Sequence, residues 1–106
     1  MIYTDECEVQ NITKTPQFGE TTTGTPFKVK CREEANDRSK NAMEGNAYRY
    51  KRIYLIPPGT NIKVGDNIKT TMRQNVAITE SYAKVDEVMP VGRFLPHHIE
   101  VRLYDV

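Results

Sequence analysis

The residue types that most often carry catalysis or bind metal ions are scarce in this chain. Its two histidines, His97 and His98, are adjacent, and its two cysteines, Cys7 and Cys31, are far apart in the sequence. Adjacent residues of a β-strand point to opposite faces, so one metal ion cannot be chelated by both imidazoles of a regular strand. We therefore expect no metal site, and we interpret the cysteines as reduced core residues.

Nucleophilic catalysis would need a serine or cysteine beside a histidine and an orienting acid. The serines, Ser39 and Ser81, do not stand in a nucleophile-elbow pattern, and no glycine-rich phosphate-binding pattern is present. We interpret Val64-Gly65-Asp66 as a tight turn in which glycine supplies a positive φ and aspartate bonds the backbone. The sequence thus favours a protein that is not an enzyme and uses no cofactor, and an enzyme built around either histidine is the weakest hypothesis.

A segment rich in tyrosine and cations is the first candidate binding surface. In an extended strand its three tyrosines would share one face with an arginine. Such a face can stack on the bases of single-stranded nucleic acid and pair with phosphates, or it can supply contact area between subunits. The net charge of +1 favours the subunit interface. The segment comprises Tyr48, Arg49, Tyr50, Lys51, Arg52 and Tyr54.

A long polar loop, residues 35–46, is the second candidate surface. Hairpin connections usually have about 2–5 residues, and longer loops in compact domains are generally functional or disordered. This segment carries both signs of charge and has Met43 as its one bulky apolar residue. It could gain order against a partner, or stay solvated. Its candidate contact residues are Asn36, Asp37, Arg38, Ser39, Lys40, Met43 and Glu44.

Short strands are the elements that would position both surfaces. Apolar and polar residues alternate strictly over 27–32 and 98–104, which is typical of strands with one wet face. The same pattern predicts a Thr- and Gly-rich connection over 15–26, a short strand over 62–66 and one or two strands over 76–89. The predicted core comprises Val9, Phe27, Val29, Cys31, Ile53, Leu55, Ile68, Ile99, Val101 and Leu103.

The composition of the chain bounds its size and class. The 106 residues are room for one domain, 1–106, and the strand spacing predicts an all-β fold: a small β-barrel or sandwich of about six or seven strands. No apolar run approaches the roughly 18–20 residues that cross a bilayer, so we expect no membrane partner. The hydrophobic fraction of 38% is low, which suggests that neighbouring molecules complete the buried surface.

The order of these parts is that of a known group of proteins. A strand over 27–31 precedes the long loop 35–46, and a strand over 53–57 ends in proline. A Gly-Asp-x-Ile hairpin over 64–68 follows, and a late His-His-Ile-Glu-Val-Arg-Leu strand occupies 97–103. This layout resembles the small head–tail connector proteins of tailed bacteriophages, in particular the stopper or head-closure group.

The resemblance implies a structural protein of the virion neck, made in the host cytoplasm. It implies a cyclic homo-oligomer of six or twelve copies between a portal or adaptor protein and a tail protein, with packaged DNA in the lumen. The loop 35–46 would then project toward the lumen or the next layer, with Arg38 and Lys40 near DNA. Two alternatives stay open: a single-stranded nucleic-acid-binding barrel of the oligonucleotide-binding type, and a tail-completion or terminator protein.

Overall fold

The computed structural model describes residues 3–14, 19, 21–35, 50–92 and 97–104, with the backbone alone at 35, 50, 51 and 104. These residues confirm the predicted all-β fold, and none of them forms a helix long and apolar enough to cross a bilayer. Ten strands occur in this part of the chain, more than the sequence indicated. They are β1 (Asp5–Gln10), β2 (Ile12–Lys14), β3 (Thr21–Thr23), β4 (Phe27–Ala35), β5 (Tyr50–Ile56), β6 (Asn67–Arg73), β7 (Val76–Ala77), β8 (Ala83–Lys84), β9 (Glu87–Val91) and β10 (His98–Tyr104).

One antiparallel sheet contains most of these strands, in the order β7-β6-β1-β4-β5-β10-β9, and β8 pairs with β6 beside β7. The hairpin β2–β3 forms a second, small sheet. Strand β4 joins the two halves of the large sheet, because its residues 27–31 pair with β1 and its residues 32–35 pair with β5. Each long strand is therefore held by a partner that is distant in sequence.

The large sheet curls so that its two halves face each other. Tyr54 of β5 and Thr70 of β6 are hydrogen-bonded through their hydroxyl groups, although β1 and β4 separate their strands in the sheet. The segment from β8 to β9 connects the two halves of the sheet: Val85 N donates to Asp66 O, just before β6, and Asp86 N donates to Arg102 O in β10. Strand pairing in the described residues does not close the sheet into a barrel. Of the two predicted architectures, the curled sheet is therefore closer to a sandwich than to a barrel.

The core fills the space between the two halves. Six predicted core residues lie in its buried cluster: Val9, Cys31, Ile68, Ile99, Val101 and Leu103. Phe27 and Val29 are half-buried at its margin. Ile53 and Leu55 are buried outside this cluster, and they alternate along β5 with Tyr54 and Ile56, which lie in it. Strand β5 is thus buried on both faces, which explains its continuous apolar run.

Four expectations about local structure need correction. The predicted connection 15–26 contains β3, where three β-branched threonines pair with β2. Residues 62–66 form a turn and no strand, because Gly65 adopts a φ of +95° and the Asp66 side chain bonds Lys63 N. The segment 76–89 contains β7, β8 and the start of β9, and the long loop begins after Ala35, which is the last residue of β4.

Candidate functional site

A cluster of charged and hydroxyl side chains closes one end of the apolar core. It lies where β4 ends and β5 begins, beside the two strand ends that residues 36–49 connect in the sequence. Alternation along β4 and β5 turns Glu33 and Arg52 to the same inner face as Cys31 and Tyr54. We call this group the Arg52 cluster; it comprises Glu33, Arg52, Tyr54, Thr70, Arg73 and Glu80.

The Arg52 guanidinium is the centre of the cluster. Its Nε lies 2.9 Å from Glu33 Oε1, and its Nη1 and Nη2 donate to the two carboxylate oxygens of Glu80 at 2.7 and 3.2 Å. Two parallel bonds between a guanidinium and a carboxylate are stronger and more directional than a single ion pair. Arg52 therefore fixes the segment that carries Glu80 against the start of β5.

The hydroxyl groups of Tyr54 and Thr70 connect this ion pair to the core. They lie 2.6 Å apart, and Arg52 Nη1 donates to the Tyr54 hydroxyl at 3.0 Å. Thr70 Oγ1 in turn donates to Glu33 Oε2 at 3.1 Å. Tyr54 is 0% exposed, and its burial raises the pKa of its phenol to about 12, so it stays a neutral hydroxyl.

A second arginine and a buried aspartate extend the cluster toward β1 and β6. Arg73 binds Glu33 through Nε at 3.1 Å and Nη2 at 3.0 Å. Asp5 accepts hydrogen bonds from the backbone of Glu33 at 2.8 Å and of Gln74 at 2.9 Å. The Glu33 carboxylate therefore bridges two arginines, and the end of β4 is held to β1, β5 and β6.

These pairings determine the protonation of the cluster. Burial pushes the pKa of Glu80 upward, but the Arg52 guanidinium, the Thr70 N–H and Arg73 outweigh it, so its pKa lies below the usual value. The bond to Glu33 raises the pKa of Arg73. Glu80 is therefore held as a carboxylate and Arg73 as a guanidinium near neutral pH, and their ion pairs hold backbone segments together.

The structure describes only part of the predicted segment rich in tyrosine and cations, residues 48–54. Tyr48 and Arg49 lie outside the described residues, and Tyr50 and Lys51 are described as backbone of β5. Arg52 and Tyr54 do share one face, but it is the inner face of the sheet. Tyr54 is therefore not placed to stack on a base or to contact a neighbouring subunit, and Arg52 is engaged by two carboxylates.

The predicted contact residues of the long loop fall outside the described residues. They are Asn36, Asp37, Arg38, Ser39, Lys40, Met43 and Glu44. What the structure describes is the base of this loop, namely the ends of β4 and β5 and the cluster between them.

Sequence reasoning did not identify the acidic half of the Arg52 cluster. Glu33 follows Phe27, Val29 and Cys31 on the face of β4 that points to the core. A charged residue on a buried face needs a partner, so Glu33 was the one sign in the sequence of a buried ion pair. Glu80 and Arg73 gave no such signal, since neither lies in a regular alternation. Only the curl of the sheet brings them to Arg52.

The histidines do not converge with other ligand types. His97 is exposed and precedes β10, while His98 is half-buried and begins that strand. Across the part of the chain that the structure describes, no three His, Cys, Asp or Glu side chains are grouped so that they could hold a metal ion. Cys7 and Cys31 are buried free thiols, and burial together with the nearby Cys31 raises the pKa of Cys7.

Replacing Arg52 by methionine should lower the free energy of unfolding by about 2 kcal/mol at pH 7. The aliphatic stem is kept, but Glu33 and Glu80 lose their shared cation. Because the pKa of Glu80 is depressed in the folded state, its contribution is present above its unfolded pKa and is lost as the pH falls through the folded pKa. Urea unfolding at pH 7 and pH 3 should therefore show a smaller penalty at pH 3. An equal penalty at both values would contradict this account, and Lys30→Met on the exposed phase of β4 is the control.

Comparison with known proteins adds no identification to this geometry. Neither a protein-family model, nor a curated protein sequence, nor a solved structure matches the chain.

Proposed function

We propose that the protein is a structural subunit that forms a ring in the neck of a tailed bacteriophage, between the head and the tail. In this role it carries out no catalysis and helps to retain packaged DNA. The layout of strands and loops described for the sequence motivates the assignment to the head-closure group. The Arg52 cluster is the observation that supports it most directly, because it ties together the two strand ends that flank the loop, so that a contact made by the loop would be carried into the sheet.

Two different edges of the sheet support assembly into a ring. Strands β7 and β9 are the ends of the strand order, and each carries an exposed apolar side chain, Val76 in β7 and Met89 in β9. A ring needs two unlike surfaces on each subunit, since identical surfaces produce a closed dimer. A small core that is completed by neighbouring copies also agrees with the low hydrophobic fraction of the chain.

The nucleic-acid-binding alternative is less well supported. It relied on a stripe of tyrosines open to solvent, and Tyr54 of that stripe is buried. Arg52, which was to pair with phosphate, is held between Glu33 and Glu80.

The test is the size of the particle that the purified protein forms, with and without DNA. Size-exclusion chromatography with light scattering, repeated over a range of protein concentrations, should give a discrete multiple of the 12.2 kDa subunit. Addition of a portal complex should carry the protein into a larger assembly. A monomer at all concentrations that binds single-stranded oligonucleotide with a steep salt dependence would overturn the proposal in favour of the nucleic-acid-binding barrel.

Deleting residues 38–43 should leave the protein folded but impair completion of DNA-filled particles. The flanking strands are held by the Arg52 cluster, so we expect the melting temperature to change by only a few degrees. The readouts are circular dichroism for folding and electron microscopy for the fraction of filled particles. A Gly/Ser segment of the same length is the control that separates loop length from loop chemistry. Normal yields of filled particles from the deletion would contradict the loop's role.

A further inference from the structure

A cleft rich in lysine lies at the opposite ends of β1 and β6 from the Arg52 cluster. Its volume is about 610 Å³, and its walls come from the β2–β3 hairpin, the 62–66 turn and β8. Lys14, Lys63 and Lys84 contribute to these walls, one from each. We call this surface the lysine cleft.

One buried residue, Asp66, connects the three walls through its carboxylate and its backbone carbonyl. Asp66 is 0% exposed and accepts hydrogen bonds from Ile12 N at 2.9 Å and from Lys63 N at 3.0 Å. Its backbone carbonyl accepts a bond from Val85 N at 2.9 Å, next to Lys84. The cleft is therefore fixed before any ligand arrives, which lowers the entropic cost of binding.

The charges of the cleft do not balance. Asp66 is the only carboxylate bonded to these lysines in the described residues, and it is committed to Lys63, whose Nζ lies 2.7 Å from Asp66 Oδ1. Lys14 and Lys84 are exposed and have no acidic partner in the described part of the chain. Among the described residues, the cleft therefore has an excess of about two positive charges, in a chain whose net charge is only +1.

Apolar surface lies beside these charges. Val64, at the tip of the turn, is 61% exposed, and Ile12 lines the cleft as a half-buried side chain. Thr21 also lines the cleft and belongs to β3. This strand pairs with β2 along one edge, and its other edge has no strand partner in the described residues. The surface thus combines cations, apolar contact area and a free strand edge.

We propose that the lysine cleft binds an extended acidic peptide segment of a partner protein. Its carboxylates pair with Lys14 and Lys84, an apolar side chain packs on Val64 and Ile12, and its backbone can add to the free edge of β3. A peptide fits better than a nucleic acid, because the residues that line the cleft include no aromatic ring to stack on a base and no arginine to grip a phosphate. This proposal rests on the cleft alone and holds whether or not the protein forms a ring.

Fluorescence anisotropy with the full chain tests the proposal. The probe is a labelled ten-residue peptide of alternating glutamate and leucine, and a glutamine–leucine peptide and short single- and double-stranded DNA serve as comparisons. We expect saturable binding of the glutamate–leucine peptide alone. The double substitution Lys14→Glu and Lys84→Glu should raise its Kd at least tenfold, whereas Val64→Ser should raise it severalfold.

The matched control is Lys28→Glu with Lys30→Glu, which makes the same charge change on β4, away from the cleft. This pair should change the Kd by less than twofold. An equal rise in the Kd for both pairs of substitutions would show that binding depends only on the net charge of the protein, and would overturn the assignment to the cleft. If DNA binds more tightly than the peptide and its binding depends on Lys14 and Lys84, the ligand of the cleft is a nucleic acid and the peptide proposal is overturned. Absence of saturable peptide binding would also overturn it. Circular dichroism of each variant identifies any that fails to fold.

Discussion

Replacing Val101 by aspartate is expected to destabilise the protein strongly. Val101 is 0% exposed in β10, between Tyr54 of β5 and Val88 of β9 in the strand register. A carboxylate at this position would be buried in the apolar cluster, where its direct partners in the strand register are Tyr54 and Val88. Burial of an unpaired charge costs several kcal/mol. We expect a loss of about 4 kcal/mol or more, out of a total stability of roughly 5–15 kcal/mol for a typical protein.

The matched control for this substitution is Val64→Asp. Val64 is 61% exposed in the 62–66 turn, away from the sheet edges proposed for assembly, so the same change of side chain should alter the free energy of unfolding by no more than about 0.5 kcal/mol. Urea unfolding followed by circular dichroism measures both variants. A Val101→Asp protein that stays soluble with an unchanged midpoint would show that the inner face of β10 is assigned incorrectly.

Replacing Asp66 by alanine is expected to have the second-largest effect, a loss of about 3 kcal/mol. The substitution leaves the N–H groups of Ile12 and Lys63 without their acceptor, and each buried donor without a partner costs about 1–3 kcal/mol. Asp66→Asn keeps one acceptor oxygen and should cost less. Thermal unfolding of the two variants measures the difference, and equal losses would mean that the hydrogen bonds to Asp66 are not the source of its contribution.

The effect of Asp66→Ala should depend on pH. Burial alone would raise the pKa of Asp66, but the bonds from Lys63, from Ile12 N and from Asn11 hold it below its usual value. A depressed folded-state pKa stabilises the protein above the unfolded pKa, and this stability is lost as the pH falls through the folded value. The difference between wild type and variant should therefore be full at pH 7 and smaller near pH 2. A constant difference would contradict a charged Asp66.

The strand pattern shows how far local sequence predicts this fold. The alternation around Val29 and around Val101 predicts strands correctly, because side chains of a strand point alternately to its two faces. Gly65 and Asp66 predict a turn for an equally local reason, the positive φ that glycine allows. The short strand β3 was missed, and β7 and β8 were predicted only as part of one or two longer strands over 76–89, since two or three residues carry too little pattern to be recognised.

The candidate site shows what the local sequence pattern cannot predict. The shared face of Arg52 and Tyr54 follows from the period of a strand, but both faces of β5 are buried, so the period alone does not tell which face meets the core. The partners of Arg52 are even less accessible to sequence reasoning. Glu33 and Glu80 are separated from it by 19 and 28 residues, and no local rule relates them.

Sequence by itself therefore determined the β class, the alternation of the long strands, the glycine turn at 65 and most of the core positions. These properties depend on φ, ψ and side-chain direction within a few residues. Only the tertiary structure decided that the Arg52 cluster closes one end of the core and that Asp66 holds the lysine cleft at the other. The physical reason is that both depend on contacts between residues that are distant in the sequence. The curl of the sheet brings β5 against β6 at the Arg52 cluster, and the pairing of β6 with β1 and with β8 brings Ile12 and Val85 to Asp66.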